Sequence, residues 1–195
     1  MGGSLNVVTP QKAAAALRAG KVALVPTETV VGLVAAEFGL PRVREIKGRD
    51  ADKPIALLCS SAEEAFGLAE NVPPLAGALA DLYWPGPLTL VLDLPNGDTI
   101  GVRVPAGRVV RELLAAYGGP LYATSANPSG ERAPKGLDDV DGRVVREADV
   151  IVTGDPGSGE ASAVVDLSGS NVRLLRADNE LTIEKLMRVA DEPES

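Results

Sequence analysis

The chain has 195 residues, 45% of them apolar and only 3% aromatic, with a formal net charge of −8. That supports one sizeable core built from Val, Leu, Ile and Ala, and it argues against binding nucleic acid mainly through phosphates, since each neutralised phosphate needs a Lys or Arg. One cysteine and no histidine exclude an intrachain disulfide, a cysteine zinc cluster and Ser-His or Cys-His catalysis.

In chain order, Leu5 to Val8 reads as a short strand. Thr9-Pro10 reads as an N-cap with proline at the first helical position, opening an Ala-rich helix over Gln11 to Ala19 that Gly20 closes. Val22 to Val25 is a buried strand ending at Pro26, Leu33 to Phe38 is extended, and Pro41 to Lys47 is helical. Pro54 to Cys59 is a core strand, with Cys59 an inert buried residue. Ser61-Ala62-Glu63-Glu64 opens a helix with a capping-box pattern, and Pro73 to Tyr83 is a further helix. Leu88 to Leu94 and Thr99 to Val104 flank the turn Pro95-Asn96-Gly97-Asp98, a hairpin signal. Val109 to Tyr117 is helix and Leu121 to Thr124 strand. Val150 to Thr153, Ala163 to Leu167 and Val172 to Leu175 are strands, and Thr182 to Val189 is an amphipathic helix. Strands alternating with helices, interrupted by a hairpin, predict an α/β fold with a mixed sheet. One domain over residues 1–190 is expected, with 191–195 as a frayed tail. No stretch approaches the roughly 20 apolar residues that span a bilayer, and no basic-then-apolar leader is present, so a cytoplasmic protein without membrane attachment is expected.

Four polar segments follow core strands, the usual place for ligands in α/β sheets. Pro26-Thr27-Glu28-Thr29-Val30-Val31-Gly32-Leu33 packs two hydroxyls and a carboxylate between a strand and a glycine; it suits an amino-acid ligand or an ordinary hydroxyl-capped turn. Lys47-Gly48-Arg49-Asp50-Ala51-Asp52-Lys53-Pro54 carries three cations in an acidic chain, either a polyphosphate clamp or a solvated loop. Trp84-Pro85-Gly86-Pro87-Leu88-Thr89 is followed by Val102-Arg103-Val104-Pro105, where Arg103 stands between valines and needs a structural partner or a ligand. Thr124-Ser125-Ala126-Asn127-Pro128-Ser129-Gly130 offers small hydroxyl and amide groups that let backbone approach a phosphate or ribose, or simply make a tight turn. The phosphate-binding patterns G-x-x-x-x-G-K-[ST] and G-x-G-x-x-G are absent, as are G-x-S-x-G and H-E-x-x-H. Gly154-Asp155-Pro156-Gly157-Ser158-Gly159 fits none of them and reads as a mobile loop, with Gly154 to Ala161 a candidate lid.

Taken in order, these segments resemble the YrdC-like family of threonylcarbamoyl-AMP synthases. The resemblance rests on Pro26-Thr27-Glu28-Thr29-Val30 with Gly32-Leu33, Lys47-Gly48-Arg49 with Pro54, Trp84-Pro85-Gly86-Pro87-Leu88-Thr89, Val102-Arg103-Val104-Pro105, Ser125-Ala126-Asn127, and Ser162 with Val164-Val165-Asp166. It runs from about Lys21 to Arg176. It implies a twisted open mixed sheet with flanking helices around a concave, positively lined cavity. It implies that threonine takes up bicarbonate to give a carbamate, which attacks ATP and expels pyrophosphate with Mg²⁺, and that a partner complex passes the threonylcarbamoyl group to the adenosine beside the tRNA anticodon. Carried over residue by residue, Lys47 and Arg49 would hold the ATP phosphates and act in catalysis. Thr27, Arg103 and Ser162 would bind threonine. Thr89, Ser125, Asn127 and Arg176 would line the nucleotide site.

The chain departs from the family pattern at five places. Val31 stands where Tyr is usual, Leu58 where many members have His, Asp50 where Pro follows the Arg, and Ala163 where Thr is common. Arg176 is followed by Ala177-Asp178 where x-Gly is usual. These departures leave a paralogue with another small amine or acid as the enzymatic alternative. A non-catalytic RNA-binding module is the alternative of another class; ATP turnover separates it from both.

Overall fold

The computed structural model describes residues 6–48, 54–178 and 181–191. Strand β1 (Val7–Val8) leads into α1 (Pro10–Arg18), β2 (Val22–Pro26), β3 (Val31–Ala35) and α2 (Leu40–Lys47). Next come β4 (Ala56–Leu58), α3 (Ala62–Phe66), α4 (Pro74–Tyr83), β5 (Leu88–Asp93), β6 (Thr99–Arg103) and α5 (Arg108–Tyr117). The remainder is β7 (Leu121–Ser125), α6 (Gly142–Glu147), β8 (Val150–Val152), β9 (Ala163–Asp166), β10 (Arg173–Arg176) and α7 (Ile183–Asp191).

Local chemistry sets the element ends. Thr9 caps α1 by accepting from the Lys12 amide, and Pro10 occupies the first turn where its missing N–H costs nothing. Ser61 caps α3 by accepting from the Glu64 amide at 3.1 Å, while the Glu64 carboxylate reaches back to the Ser60 amide at 2.6 Å, one residue before the reciprocal position of a capping box. Two expectations need correction. Residues 37–39 turn into a short 3-10 helix instead of continuing β3, and α6 lies in a stretch with no expected element. Asp141 caps α6, and an Arg143–Glu147 pair braces it, but Val144 is its one fully buried side chain, so almost no apolar periodicity marks it.

The described strands form one mixed sheet in the order β1-β8-β2-β3-β7-β4-β6-β5-β9-β10. β2 and β3 pair antiparallel, as do β3 and β7, β7 and β4, β5 and β6, and β9 and β10. The parallel pairs are β1 with β8, β8 with β2, β4 with β6, and β5 with β9. Because side chains alternate, β2 and β3 each serve two cores. Ala23, Val25 and Val34 face α1 and α5, packing with Leu17, Val110, Leu113 and Leu114. Val22, Leu24, Leu33 and Ala35 face the other way, onto Val43 and Ile46 of α2 and Val144 of α6. On that second face the core continues under β4, β6, β5 and β9, where Leu57, Val102, Leu90 and Val165 meet Ala76 and Leu79 of α4 and Leu186 of α7. Each fully buried leucine here contributes about 1.5–3 kcal/mol of transfer free energy. α1 and α5 reach the first face of β4 only at Leu58, and the opening over the rest of β4, β6, β5 and β9 is where the polar segments converge. Among the described residues, no helix is long and apolar enough to cross a membrane.

Candidate functional site

The open face holds a cavity of about 580 Å³, within the usual range for small-molecule sites. Its floor comes from alternate residues of neighbouring strands: Thr89 and Val91 of β5, Thr99, Gly101 and Arg103 of β6, Ala56 and Leu58 of β4, Ala123 and Ser125 of β7. Volume exists there because the floor is small. A Cβ on Gly101 would lie 3.2 Å from Thr89 Cγ2 and 3.4 Å from Ala56 Cβ.

One wall is the loop between β2 and β3. Thr27 Oγ1 donates to Val30 O at 2.7 Å and accepts from the amides of Thr29 and Val30 at 3.2 Å each. The hydroxyl therefore caps its own turn and also lines the cavity. Thr29 Oγ1 accepts from Arg103 Nη1 at 3.1 Å. Arg103, 7% exposed, also donates through Nε to Gly86 O at 3.0 Å and through Nη2 to Glu28 Oε1 at 2.5 Å. The cation between valines thus has a structural ion pair and still faces the cavity. Burial pushes the Glu28 carboxyl up, but the Arg103 charge and the Ala106 amide outweigh it and hold the group below its ordinary range.

The glycine-rich segment is laced onto this wall instead of forming a mobile loop. The amides of Ser158 and Gly159 donate to Glu28 O and Thr29 O at 2.9 and 2.8 Å, and the Gly157 amide donates to Lys135 O at 3.0 Å. A Cβ on Gly157 would sit 2.4 Å from Thr29 O and 2.6 Å from Thr27 O, so glycine there permits close backbone approach, not motion.

Lys47 forms a second wall. Gly48 ends α2 in the left-handed conformation at φ 56, which turns the chain directly after Lys47. Lys47, 4% exposed, donates through Nζ to Ser125 O at 2.5 Å and to Asn127 O at 2.7 Å. Asn127 Nδ2 donates to Glu131 O at 2.6 Å, and the Ser129 amide donates to Lys47 O at 3.0 Å, so the second and fourth polar segments are bound together. Arg49 lies outside the described residues, as do Asp50, Asp52 and Lys53.

The third wall joins Thr89, Ser162 and Arg176. The buried hydroxyls of Thr89 and Ser162 are 2.9 Å apart, and Arg176 donates to Ser162 O at 2.6 Å and to Ser162 Oγ at 3.2 Å. Partial burial and the Arg103 charge pull the Arg176 guanidinium below its ordinary pKa. Asp166, in the quoted motif but given no role, also lines the cavity. Burial raises its pKa, yet hydrogen bonds from Ser168 and the Arg173 charge bring it below the ordinary value.

All eight described candidates, from Thr27 and Lys47 through to Arg176, therefore line one cavity. Among the described residues, its charged lining is Lys47, Arg103, Arg176 and Asp166, a cationic balance in a chain of net charge −8. Of the departures from the family pattern that lie among the described residues, Leu58 lines the cavity, in register beside Arg103, while Asp50 lies outside them. Val31 and Ala163 point into the opposite core. Asp178 accepts from the Leu181 amide at 2.7 Å and from the Ala163 amide at 3.2 Å, serving the backbone on either side of β10.

The family model Sua5_yciO_yrdC, described as "Telomere recombination", matches residues 15–178. The chain belongs to the Sua5/YciO/YrdC family. Within it, the chain is 36% identical over 193 residues to the threonylcarbamoyl-AMP synthase of Pyrococcus abyssi, taking in 92% of this chain. It spans 56% of that relative's length. The structure of P. abyssi Sua5 complexed with L-threonine matches with a TM-score of 0.83 and 33% identity, over 96% of this chain and 61% of that one. E. coli YciO matches with a TM-score of 0.79 at 21% identity, over 90% of this chain and 95% of that one, a likeness of fold.

Proposed function

We propose that the cavity binds ATP and L-threonine, and that the chain converts them with bicarbonate into threonylcarbamoyl-AMP and pyrophosphate. The observation that carries this reading is the meeting of eight candidate residues, drawn from segments as distant as Thr27 and Arg176, around one cavity whose lining is cationic in an acidic chain. The named activity of the P. abyssi relative and the threonine in its Sua5 structure support the same chemistry.

The threonine amine forms a C–N bond to the carbon of bicarbonate, whose C–OH bond breaks, and the hydroxyl leaves as water with a proton from the nitrogen. A carbamate oxygen then bonds to the α-phosphorus as the bond to pyrophosphate breaks. The nucleophile is already an anion, so the step needs no histidine or strong base. Its barrier is charge crowding at phosphorus. Lys47, fixed by carbonyls before substrate arrives, stabilises that charge without reorganising, and Arg49 is proposed to act beside it. Ser125 and Asn127 bind the AMP portion with Thr89 and Arg176. Thr27, Arg103 and Ser162 hold threonine. Placing the reactants in one cavity is worth about 7–11 kcal/mol.

Mg²⁺ bound with ATP would supply charge neutralisation at the leaving pyrophosphate. Asp166 and the hydroxyls of Thr89 and Ser162 are oxygen groups of this chain that suit such an ion. Asp166 is already engaged by Ser168 and Arg173. A separate transferase complex would carry the threonylcarbamoyl group to the adenosine beside the tRNA anticodon, with the cytoplasm as the setting.

The test is pyrophosphate release from ATP, Mg²⁺ and bicarbonate with each amino acid in turn. Release that needs both threonine and bicarbonate is expected. Release driven by another amino acid alone, or ATP binding without release, would overturn the assignment.

A further inference from the structure

Arg103 has five N–H donors, and the described residues engage three of them: one on Nε with Gly86 O, one on Nη1 with Thr29 Oγ1, one on Nη2 with Glu28 Oε1. Each terminal nitrogen keeps one further donor. A guanidinium that rotates about its long stem loses entropy when it binds, whereas one clamped at three corners offers its remaining donors in a fixed plane. Glu28 is the ionic corner of that clamp. Its Oε1 accepts from Arg103 Nη2 at 2.5 Å and the Ala106 amide at 3.0 Å, and its Oε2 accepts from the Gly107 amide at 2.9 Å. The two amides lie just before α5, so Glu28 fixes Arg103 relative to a helix packed in the core. The approach is close enough that a Cβ on Gly107 would lie 3.0 Å from Glu28 N and 3.1 Å from Glu28 Oε2.

We infer that Glu28 is a positioning residue: it holds the Arg103 guanidinium in the orientation that receives the amino-acid carboxylate, and so sets affinity for the amino acid and not for ATP. This rests on the proposed threonine-binding role of Arg103. The surroundings separate the two functions. Glu28 takes no part in the Lys47, Ser125 and Asn127 cluster, which is joined by its own bonds. It also lies next in sequence to Thr27 and Thr29, on the loop that lines the amino-acid side. Three donors converge on its two carboxylate oxygens. An amide at this position turns an NH₂ toward one of them, so Glu28→Gln keeps the shape of the side chain but breaks the clamp.

The experiment measures steady-state pyrophosphate release by the wild-type chain, Glu28→Gln, Arg103→Ala and the double variant, varying threonine and ATP separately. The threonine KM of Glu28→Gln is expected to rise about tenfold or more while the ATP KM stays within about twofold. In the Arg103→Ala background, Glu28→Gln is expected to add nothing further, because Glu28 acts through Arg103. Thr29→Val, which removes the Nη1 acceptor without changing volume, is expected to give the same KM split more weakly; it carries the test if Glu28→Gln does not fold. An active wild type with both KM values unchanged in Glu28→Gln, a parallel rise in both, or an additive loss in the double variant overturns the inference alone. A wild type without threonine-dependent release overturns it together with the reading it rests on.

Discussion

Two arginines face the same cavity and are held in different ways. Arg103 sits on β6, an interior strand, with every bonded nitrogen fixed and a carboxylate partner in Glu28. Arg176 sits on β10, the edge strand, exposed along its length, and leans on Ser162 through neutral oxygens. The interior cation is preorganised at the cost of largely burying an ion pair; the edge cation carries its charge nearer solvent. The difference suggests different tasks for the two walls: donors fixed by an ion pair discriminate between ligands, while a guanidinium held through neutral oxygens keeps its charge available to an anion.

The largest expected effect comes from breaking the interior side. Arg103→Ala removes the buried cation proposed to receive the amino-acid carboxylate and leaves the partly buried Glu28 unpaired, with an expected loss of about 2–5 kcal/mol read as kcat/KM for threonine. Lys47→Ala is expected to lose a comparable 2–5 kcal/mol in adenylate formation with the fold retained by circular dichroism, since it removes a buried charge from the proposed phosphate site; normal turnover would sink the phosphate assignment. Gly101→Val should cost about 1–3 kcal/mol of stability by overpacking Thr89 and Ala56, and should weaken ATP binding by calorimetry because it fills the floor between the two walls. Arg176→Ala is expected to be milder, about tenfold in kcat/KM, consistent with a partly solvated contact. An effect as large as that of Arg103→Ala would erase the contrast between the walls.

The smallest effect is on acid stability. Glu28 is below its ordinary value of 4.5 in the folded chain, so the stabilisation from its ionised form is complete above that pH and is lost as pH falls through the lower folded value. The stability difference between the wild type and Glu28→Gln should therefore shrink as pH drops below 4.5 in chemical denaturation. A difference independent of pH would mean that the carboxylate's charge contributes nothing.

Much of this was legible in the sequence, for reasons of range. Thr9-Pro10, Ser61 and the Asn96-Gly97 turn act within a few residues, and α1, α3 and the β5–β6 hairpin follow. Cavity membership was legible through the order of the motifs. What the side chains touch was not. The Glu28–Arg103 pair spans 75 positions and the Lys47–Asn127 bond 80, and no local pattern records them. Glu28 stood in the first polar segment without a role because its partners lie on β6 and before α5. Asp166 was hidden similarly, since Arg173 reaches it from the next strand. The glycine-rich segment misled because glycine serves both motion and close approach, and only the carbonyls of Thr27 and Thr29 distinguish the two. Helix α6 was missed because it buries too little to leave a period.

The central claim is that one cavity joins bicarbonate carbon, threonine and AMP. Incubating the chain with carbon-labelled bicarbonate, ATP and Mg²⁺, with and without threonine, and following label into an adenylate by chromatography tests it most directly. The account predicts labelled adenylate only when threonine is present, in step with pyrophosphate release. Pyrophosphate release without label in the adenylate would contradict it.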